Sequence, residues 1–226
     1  MICLVTDRRR LVADGRAPEA AARGCLIAQV GRAVEAGVDL VQVRERDLEA
    51  GALAALVSEL MTLARGSTTR IIVNDRVDVA LACGADGVHL RADSIPIRDA
   101  RRLASAGFLI GRSVHGVAEA IAAADADYLI AGTVFRTASK AADAPLLGID
   151  GLRAIVAAVD RPVLAIGGMA GERIGEAAAA GAAGLAAIGL FVASHPDAEV
   201  DGCRVAELRQ TVKSARSRFD RPNLTP

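Results

Sequence analysis

Eight short apolar runs, separated by helical stretches, constrain the fold of this chain more than any other feature of its sequence. The runs are rich in Val, Ile and Leu, and each ends at, or is followed by, a polar residue or a glycine. Near-continuous apolar runs of this kind are typical of parallel strands that are buried on both faces. In order, the runs are ICLVT (2–6), DLVQV (39–43), RIIVN (70–74), DGVHL (86–90), FLIG (108–111), YLIAG (128–132), PVLAIG (162–167) and GLAAIG (184–189).

The stretches between these runs have helical periodicity, as in LAALVSELMTLAR (53–65) and GERIGEAAAAG (171–181). Eight strands that alternate with helices favour a closed (β/α)8 barrel over an open doubly wound sheet, with the active site at the carboxyl-terminal face of the strands. A glycine also recurs between a helix end and the next apolar run, where a positive φ is tolerated. We predict one barrel domain over residues 1–220, followed by a flexible tail, 221–226.

Composition limits the partners of such a barrel. The 226 residues carry 27 Lys and Arg against 27 Asp and Glu, so the formal net charge is zero. Neither a nucleic acid nor an anionic membrane surface would be attracted by a chain without excess positive charge, so we predict neither as a partner. No apolar run approaches the roughly 18 residues of a membrane span, and the amino terminus does not resemble a signal peptide, so we expect a cytoplasmic protein.

Polar side chains at the predicted strand ends are candidates for the active site. Working residues in such barrels come from the carboxyl ends of the strands and from the loops that follow. We therefore expect these scattered residues to converge on one mouth. The candidates are Thr6, Asp7, Gln42, Arg44, Arg46, Asn74, Asp75, His89, Asp93, Ser113, His115, Thr137, Ser139 and Lys140.

Two glycine-rich turns after the last two strands predict a phosphate site. They are AIGGM (165–169) and AAIG (186–189), with Gly167, Gly168, Ile188 and Gly189 as the predicted phosphate-binding residues. Backbone amides that no side chain covers, together with a helix amino terminus, bind phosphate well. The same glycines would also serve simply as tight turns. In the sixth loop, Thr137, Ser139 and Lys140 are predicted anion ligands and part of a possible lid, unless the loop is only a solvated surface segment.

The order of several motifs resembles the thiamine phosphate synthase/TenI superfamily from the first strand to the eighth. The resemblance implies one of two activities. A synthase joins hydroxymethylpyrimidine pyrophosphate to thiazole phosphate and releases pyrophosphate with the help of magnesium. A TenI-type protein isomerises a thiazole carboxylate phosphate to its aromatic tautomer without a metal. The motifs are VQVRERD (41–47), VNDRVDVAL (73–81), ADGVHL (85–90), GRSVHG (111–116), ADYLIAGTVFRTASK (126–140), LAIGGM (164–169) and AGAAGLAAIGLF (180–191).

The residues that correspond to the synthase magnesium site separate the two branches. The synthase pattern has Asn-Asp after the third strand and His-[Leu/Ile]-Gly-Gln-x-Asp after the fourth, with both aspartates serving the metal. Asn74 and Asp75 match the first half, but the second half reads HLRADS (89–94), with Asp93 one residue early. Because magnesium demands near-ideal octahedral geometry, this displacement favours the TenI branch. The lysine of the synthase pattern is replaced by Arg46, which still suits an anion.

The first hypothesis is therefore a thiazole tautomerase, an isomerase without a cofactor, in which His115 is the general acid and base. Histidine has an ordinary pKa of about 6.5, which suits both proton-transfer steps. The predicted substrate-binding residues are Gln42, Arg44, Arg46, Asn74, Ser113, Thr137, Ser139 and Lys140.

Other hypotheses stay open at this point. The main alternative is a magnesium-dependent thiamine phosphate synthase that uses Asp75 and Asp93, with His115 structural or substrate-orienting. A further alternative is a non-catalytic barrel that binds a thiamin-related phosphate and regulates another protein. The resemblance implies a small-molecule thiazole phosphate as the ligand and a homodimer as the assembly.

Overall fold

A closed barrel of eight parallel strands, with helices around it, confirms the predicted (β/α)8 fold. The computed structural model describes residues 1–12, 18–137, 145–192 and 202–220. Each strand pairs in parallel with the next along the chain, and β8 pairs with β1 to close the barrel. The strands are β1 (Ile2–Val5), β2 (Leu40–Val43), β3 (Arg70–Asn74), β4 (Gly87–Leu90), β5 (Leu109–Val114), β6 (Tyr128–Gly132), β7 (Val163–Ile166) and β8 (Gly184–Ala187).

Helices connect the strands at the periphery, and they enclose the larger of two cores. Their bounds are α1 (Glu19–Glu35), α2 (Ala50–Ala64), α3 (Val77–Ala82), α4 (Ile97–Leu103), α5 (Val117–Ala122), α6 (Gly148–Ala158), α7 (Glu172–Ala179) and α8 (Gly202–Phe219). Leu56 and Leu60 of α2 are fully buried against the outer face of the sheet. Burying a leucine side chain contributes roughly 1.5 to 3 kcal/mol, so this layer supplies most of the hydrophobic stabilisation. None of the helices in the described ranges combines the length and hydropathy that a membrane span requires.

Strand alternation divides the side chains between the helix-facing layer and the barrel interior. Successive strand residues point to opposite faces, so Cys3 and Val5 of β1 point inward while Ile2 and Leu4 face the helices. The interior is filled near the bottom by apolar side chains such as Ile72. Polar inward-facing residues lie nearer the carboxyl ends, where the active site was predicted.

The recurring glycines have the predicted backbone conformation. Gly37, Gly84 and Gly181 each follow a helix by two residues and have φ values of 79°, 63° and 90°. Gly107, in the turn before β5, has a φ of 84°. The extent of the domain, 1–220, stays a prediction, and the proposed tail, 221–226, lies outside the described residues.

Candidate active site

A cavity of about 1050 Å³ opens at the carboxyl-terminal mouth of the barrel and gathers most of the predicted site. Asp93 also lines it, while Asp75 lies beside it in contact with Arg91, a lining residue. Ser139 and Lys140 lie outside the described residues. The other predicted residues that line the cavity are Asp7, Gln42, Arg44, Arg46, Asn74, His89, Ser113, His115, Thr137, Gly167, Gly168, Ile188 and Gly189.

A buried ion cluster behind the barrel wall fixes the chain where β2 enters the mouth. The side chains of Arg8 and Glu45 are each 2% exposed, and Arg8 Nη1 lies 2.9 Å from Glu45 Oε2 and 2.6 Å from Asp47 Oδ1. The Thr6 hydroxyl donates to Glu45 Oε1 at 2.6 Å and accepts the backbone N–H of Arg44 at 2.9 Å. Hydrogen bonds from Arg8 hold the pKa of the Asp47 carboxyl well below its usual range. The position of Arg44 therefore depends on this cluster.

Cationic side chains line the mouth after β2 and β4. Arg44 and Arg46 follow β2, and Arg91 follows β4. We call these three residues the arginine arc. Within the described part of the chain, Arg44 and Arg46 have no carboxylate partner, so their positive charges remain available to an anionic ligand. Between them and Arg91, the Gln42 amide donates to Asn74 Oδ1 at 2.8 Å, which orients both amides.

Arg91 lies between the two aspartates of the proposed magnesium site. Its Nη1 is 3.5 Å from Asp75 Oδ2, and its Nη2 donates to Asp93 Oδ2. The other oxygen of Asp75 accepts the hydroxyl of Ser94. Among the described residues, no three His, Cys, Asp or Glu side chains are grouped to hold a metal ion.

This arrangement does not fit a magnesium ion shared by Asp75 and Asp93. While Arg91 pairs with both aspartates, its guanidinium would repel a divalent cation held by them. The hydroxyl of Ser94 also stands where the synthase pattern has its second carboxylate. No step of the reaction is therefore assigned to a metal held by these residues.

A polar group inside the barrel supports the floor of the cavity. His89 is fully buried, with Nε2 2.9 Å from Ser113 Oγ and Nδ1 3.3 Å from the Tyr128 hydroxyl. Burial, assisted by the charge of Arg112, lowers the pKa of His89 to about 3. A Cβ atom at Gly111 would lie 2.2 Å from the Tyr128 ring and 2.6 Å from His89 Nδ1. His89 is thus a neutral interior residue that holds Ser113, rather than a residue of the rim.

His115 lies at the cavity edge, where the sequence placed it. Its Nδ1 is 2.5 Å from the carbonyl oxygen of Gly132, and its backbone N–H donates to Glu119 Oε2 at 2.8 Å. Because a carbonyl oxygen only accepts, Nδ1 carries the proton and Nε2 is left as an acceptor in the neutral ring. The imidazole is exposed and lines the cavity.

The two predicted phosphate turns lie together on the other side of the mouth. We call Gly167, Gly168, Ile188 and Gly189 the glycine arc. Gly167 and Gly168 have φ values of 104° and 64°. A Cβ at Gly168 would lie 2.8 Å from Phe135 Cβ and 2.9 Å from the carbonyl oxygen of Arg136, so the turn requires glycine.

Two arginines beside the glycine arc were missed by sequence reasoning. Arg173 lies one residue into α7 and donates from Nη1 to the carbonyl oxygen of Gly168 at 3.3 Å, over the ring of Phe135. Arg10 lines the cavity, with its Nη2 3.8 Å from a Cβ built on Gly189. The sequence signals for these two residues were the position of Arg173, four residues after the GGM turn, and the basic run at 8–10.

The middle of the arginine arc, near β3, lies across the mouth from the glycine arc, whereas Arg44 and Arg46, after β2, are separated from β8 only by β1. In an eight-stranded barrel with sequential order, β3 faces β7 and β4 faces β8 across the mouth. The arginine arc follows β2 and β4, and the glycine arc follows β7 and β8. Ser113, His115, Ile130 and Ile166 line the space between the two arcs.

Comparisons with known proteins agree with one another. A family model described as "Thiamine monophosphate synthase" matches residues 11–191. The chain is 43% identical to the thiamine-phosphate synthase of Methanoregula boonei, over 85% of this chain and 88% of that protein. It is 44% identical to the putative thiamine-phosphate synthase of Geobacter sulfurreducens, over 86% and 87%. The solved thiamine phosphate pyrophosphorylase of Pyrococcus furiosus is 34% identical and matches with a TM-score of 0.75, over 95% of this chain and 96% of that chain.

These similarities contradict the prediction of a thiazole tautomerase, an isomerase with His115 as general acid and base. They confirm the superfamily and favour the synthase alternative, a transferase. The prediction depended on the loop HLRADS (89–94), in which Ser94 and Arg91 replace residues of the synthase pattern. Those replacements change the charge beside one side of the cavity. They leave Arg44, Arg46 and the glycine arc in place.

Proposed function

The chain belongs to the thiamine monophosphate synthase family, and from this premise we propose that it is a thiamine-phosphate synthase. Its substrates would be hydroxymethylpyrimidine pyrophosphate and thiazole phosphate. The lone pair of the thiazole nitrogen forms a bond to the methylene carbon of the pyrimidine. The bond from that carbon to the pyrophosphate oxygen breaks, and its electron pair leaves with pyrophosphate.

The observation that carries this proposal is that the arginine arc and the glycine arc line one cavity. A synthase must hold two phosphorylated substrates at once, with their reacting rings between the phosphates. The cavity offers side-chain cations on one side, backbone amides on the other, and space for two rings between them. An isomerase would hold one ring with a phosphate and a carboxylate, and would not need space for a second ring and its diphosphate.

The arginine arc is the proposed site of the pyrimidine diphosphate. Negative charge develops on the leaving group as the carbon–oxygen bond breaks, and positioned guanidinium groups stabilise that charge in the transition state. Arg44 and Arg46 are suited to this role because no carboxylate within the described residues neutralises them. Planar guanidinium groups also match phosphate geometry through paired hydrogen bonds.

The glycine arc is the proposed site of the thiazole phosphate. Backbone N–H groups at these turns would donate to the phosphate oxygens without a covering side chain. Thr137 lines the same cavity and adds a hydroxyl. Ser139 and Lys140, outside the described residues, stay predicted ligands of this phosphate. Gln42, Asn74 and Ser113 are proposed to hydrogen-bond the rings.

His115 has an orienting role in this proposal. Transfer of the pyrimidine to the thiazole nitrogen moves no proton between the substrates, so no general acid or base is required. The hydrogen bond from Nδ1 to Gly132 fixes the ring and leaves Nε2 to accept from an amino group of the pyrimidine. A homodimer and a cytoplasmic location stay predictions, and light scattering of the purified protein tests the first.

Product analysis tests the proposed function. Purified protein is incubated with both substrates and magnesium, and thiamine phosphate and pyrophosphate are quantified by mass spectrometry and a coupled assay. We expect the two products in equal amounts, and neither when one substrate is omitted. Tight binding of thiazole phosphate without product would contradict the proposal and support a non-catalytic, phosphate-binding barrel.

A further inference from the structure

Two of the three departures from the synthase pattern after β4, Arg91 and Ser94, are structurally linked. The Ser94 hydroxyl accepts the backbone N–H of Arg91 at 2.8 Å and donates its own proton to Asp75. One hydroxyl therefore closes the turn that begins at Arg91 and connects it to the end of β3. An aspartate at position 94 would place a second carboxylate against Asp75 and lose the donated hydrogen bond. Ser94 and Arg91 thus belong to one arrangement.

A second arginine holds this loop from outside the cavity. Arg112 donates from Nη1 to the carbonyl oxygen of Ile95 at 2.9 Å and from Nη2 to that of Ala92 at 2.8 Å. The loop is therefore attached to β5 at two points. Arg91 is presented to the cavity by a fixed backbone, although its side chain is 43% exposed and free to exchange partners.

We propose that Arg91 supplies, through its guanidinium, the positive charge that a magnesium ion supplies in the synthase pattern. This inference rests on the proposed synthase function. Its ligand is the diphosphate of the pyrimidine substrate, which Arg91 binds together with Arg44 and Arg46. As the carbon–oxygen bond breaks, the guanidinium stays hydrogen-bonded to the pyrophosphate that takes the electron pair. The reaction then has no need of a metal ion held by Asp75 and Asp93.

The pairing of Arg91 with Asp93 is a resting contact that the substrate replaces. The Asp93 side chain is 68% exposed, and an ion pair in so exposed a position contributes little to stability. A diphosphate carries more charge than one carboxylate and offers several acceptor oxygens to the guanidinium. Asp75 is retained by Ser94 and keeps the turn in place when Arg91 moves onto the ligand.

Calorimetric titration with inorganic pyrophosphate in excess EDTA tests this role without catalysis. We expect the wild-type protein to bind, and Arg91→Gly to lose about tenfold or more in affinity, because charge-assisted hydrogen bonds to phosphate are lost. Arg76→Gln is the matched control. Arg76 follows Asp75 at the same mouth but pairs with Asp78 and does not line the cavity, so its loss should leave affinity unchanged. Equal affinity for wild type and Arg91→Gly would overturn the proposal.

The double variant Arg91→Gly/Ser94→Asp restores the glycine and the final aspartate of the synthase pattern and gives a stricter test. Its pyrophosphate affinity should rise about tenfold when magnesium is added, whereas wild type should change little, because only the variant offers the metal Asp75 and a carboxylate at position 94 without a guanidinium between them. A wild type that binds pyrophosphate only with magnesium would overturn the proposal.

Product assays with and without EDTA separate the two claims. We expect thiamine phosphate in excess EDTA at a rate within about tenfold of the rate with magnesium. Product that forms only with magnesium would overturn the role of Arg91 and leave the synthase function standing. No product under either condition would overturn the synthase function, and the pyrophosphate titration would still decide whether Arg91 binds the anion.

Discussion

The two sides of the active-site mouth offer an anion different physical means of binding. The arginine arc uses full charges on side chains that are partly exposed to solvent, and it depends on a buried ion cluster behind the wall for its position. The glycine arc uses backbone amides, and its critical property is the absence of side chains. A charge substitution should therefore damage the first side selectively, and an added methyl group the second.

The largest effect is expected from Arg44→Gln. This change removes an unpaired guanidinium that faces the leaving group but keeps a hydrogen-bonding side chain. We expect kcat/KM for the pyrimidine substrate to fall about 100- to 1000-fold, comparable to the loss of one preorganised donor in other active sites. Steady-state kinetics measures this.

Arg102→Gln is the control for the Arg44 substitution. Arg102 is an exposed arginine of α4 with a pairing to Asp99, and it does not line the cavity. Its loss should leave the kinetic constants unchanged. If both variants behave alike, the arginine arc is not the diphosphate site.

Gly168→Ala should damage the glycine arc with a smaller effect. The new Cβ would overlap Phe135 and the carbonyl of Arg136, at a φ of 64° that alanine rarely adopts. We expect KM for thiazole phosphate to rise roughly 10- to 100-fold and the free energy of unfolding to fall by about 1 to 3 kcal/mol. Kinetics and urea denaturation measure the two effects.

Gly171→Ala separates a general loss of stability from a local loss of phosphate binding. Gly171 has a φ of 55°, but no atom lies within 4 Å of its added Cβ, and it does not line the cavity. It should therefore lose stability without a change in KM. A rise in KM for Gly171→Ala as large as that for Gly168→Ala would contradict a local phosphate site.

The buried His89, inside the barrel, should make the free energy of unfolding depend on pH. Because burial, with a contribution from Arg112, lowers the pKa of His89 to about 3, the unfolded chain binds a proton there that the folded protein does not. The stabilisation is complete above the ordinary pKa of about 6.5 and is lost as pH falls toward 3. Protonation of His89 changes the free energy of unfolding by at most about 1.4 kcal/mol per pH unit.

His89→Gln removes this titration while retaining hydrogen-bonding groups. Urea unfolding of both proteins at pH 7, 6 and 5 should give a stability difference that changes with pH, since only the wild type loses stability through position 89. If the stability difference between the two proteins is the same at all three pH values, His89 is not a buried neutral residue.

The fold could be predicted because its determinants are local and repeated. Each apolar run became a strand, although β5 continues through Arg112, Ser113 and Val114, beyond the run that ended at Gly111. A pattern of apolar residues does not show where a strand ends when its last residues include polar ones. The Arg112 side chain donates a hydrogen bond to the loop after β4, and the Ser113 side chain hydrogen-bonds with His89.

The site could be predicted as a set of positions but not as a set of interactions. Strand ends converge in any barrel, so Gln42, Arg44 and His115 were found from register and spacing. Whether an arginine is neutralised depends on partners far along the chain, as in Arg8 and Asp47, which are 39 positions apart. No spacing rule shows that Arg8 is buried and paired while Arg44 faces the cavity without a carboxylate.

Binding of two phosphorylated ligands at once is the central claim, and one calorimetric experiment tests it most directly. Thiazole phosphate is titrated into protein alone and into protein saturated with pyrophosphate. Because the arcs are separate, we predict one equivalent bound in both titrations, with affinities that agree within about threefold. Competition, in which saturating pyrophosphate abolishes binding of thiazole phosphate, would show that the cavity has one anion site and would contradict the account.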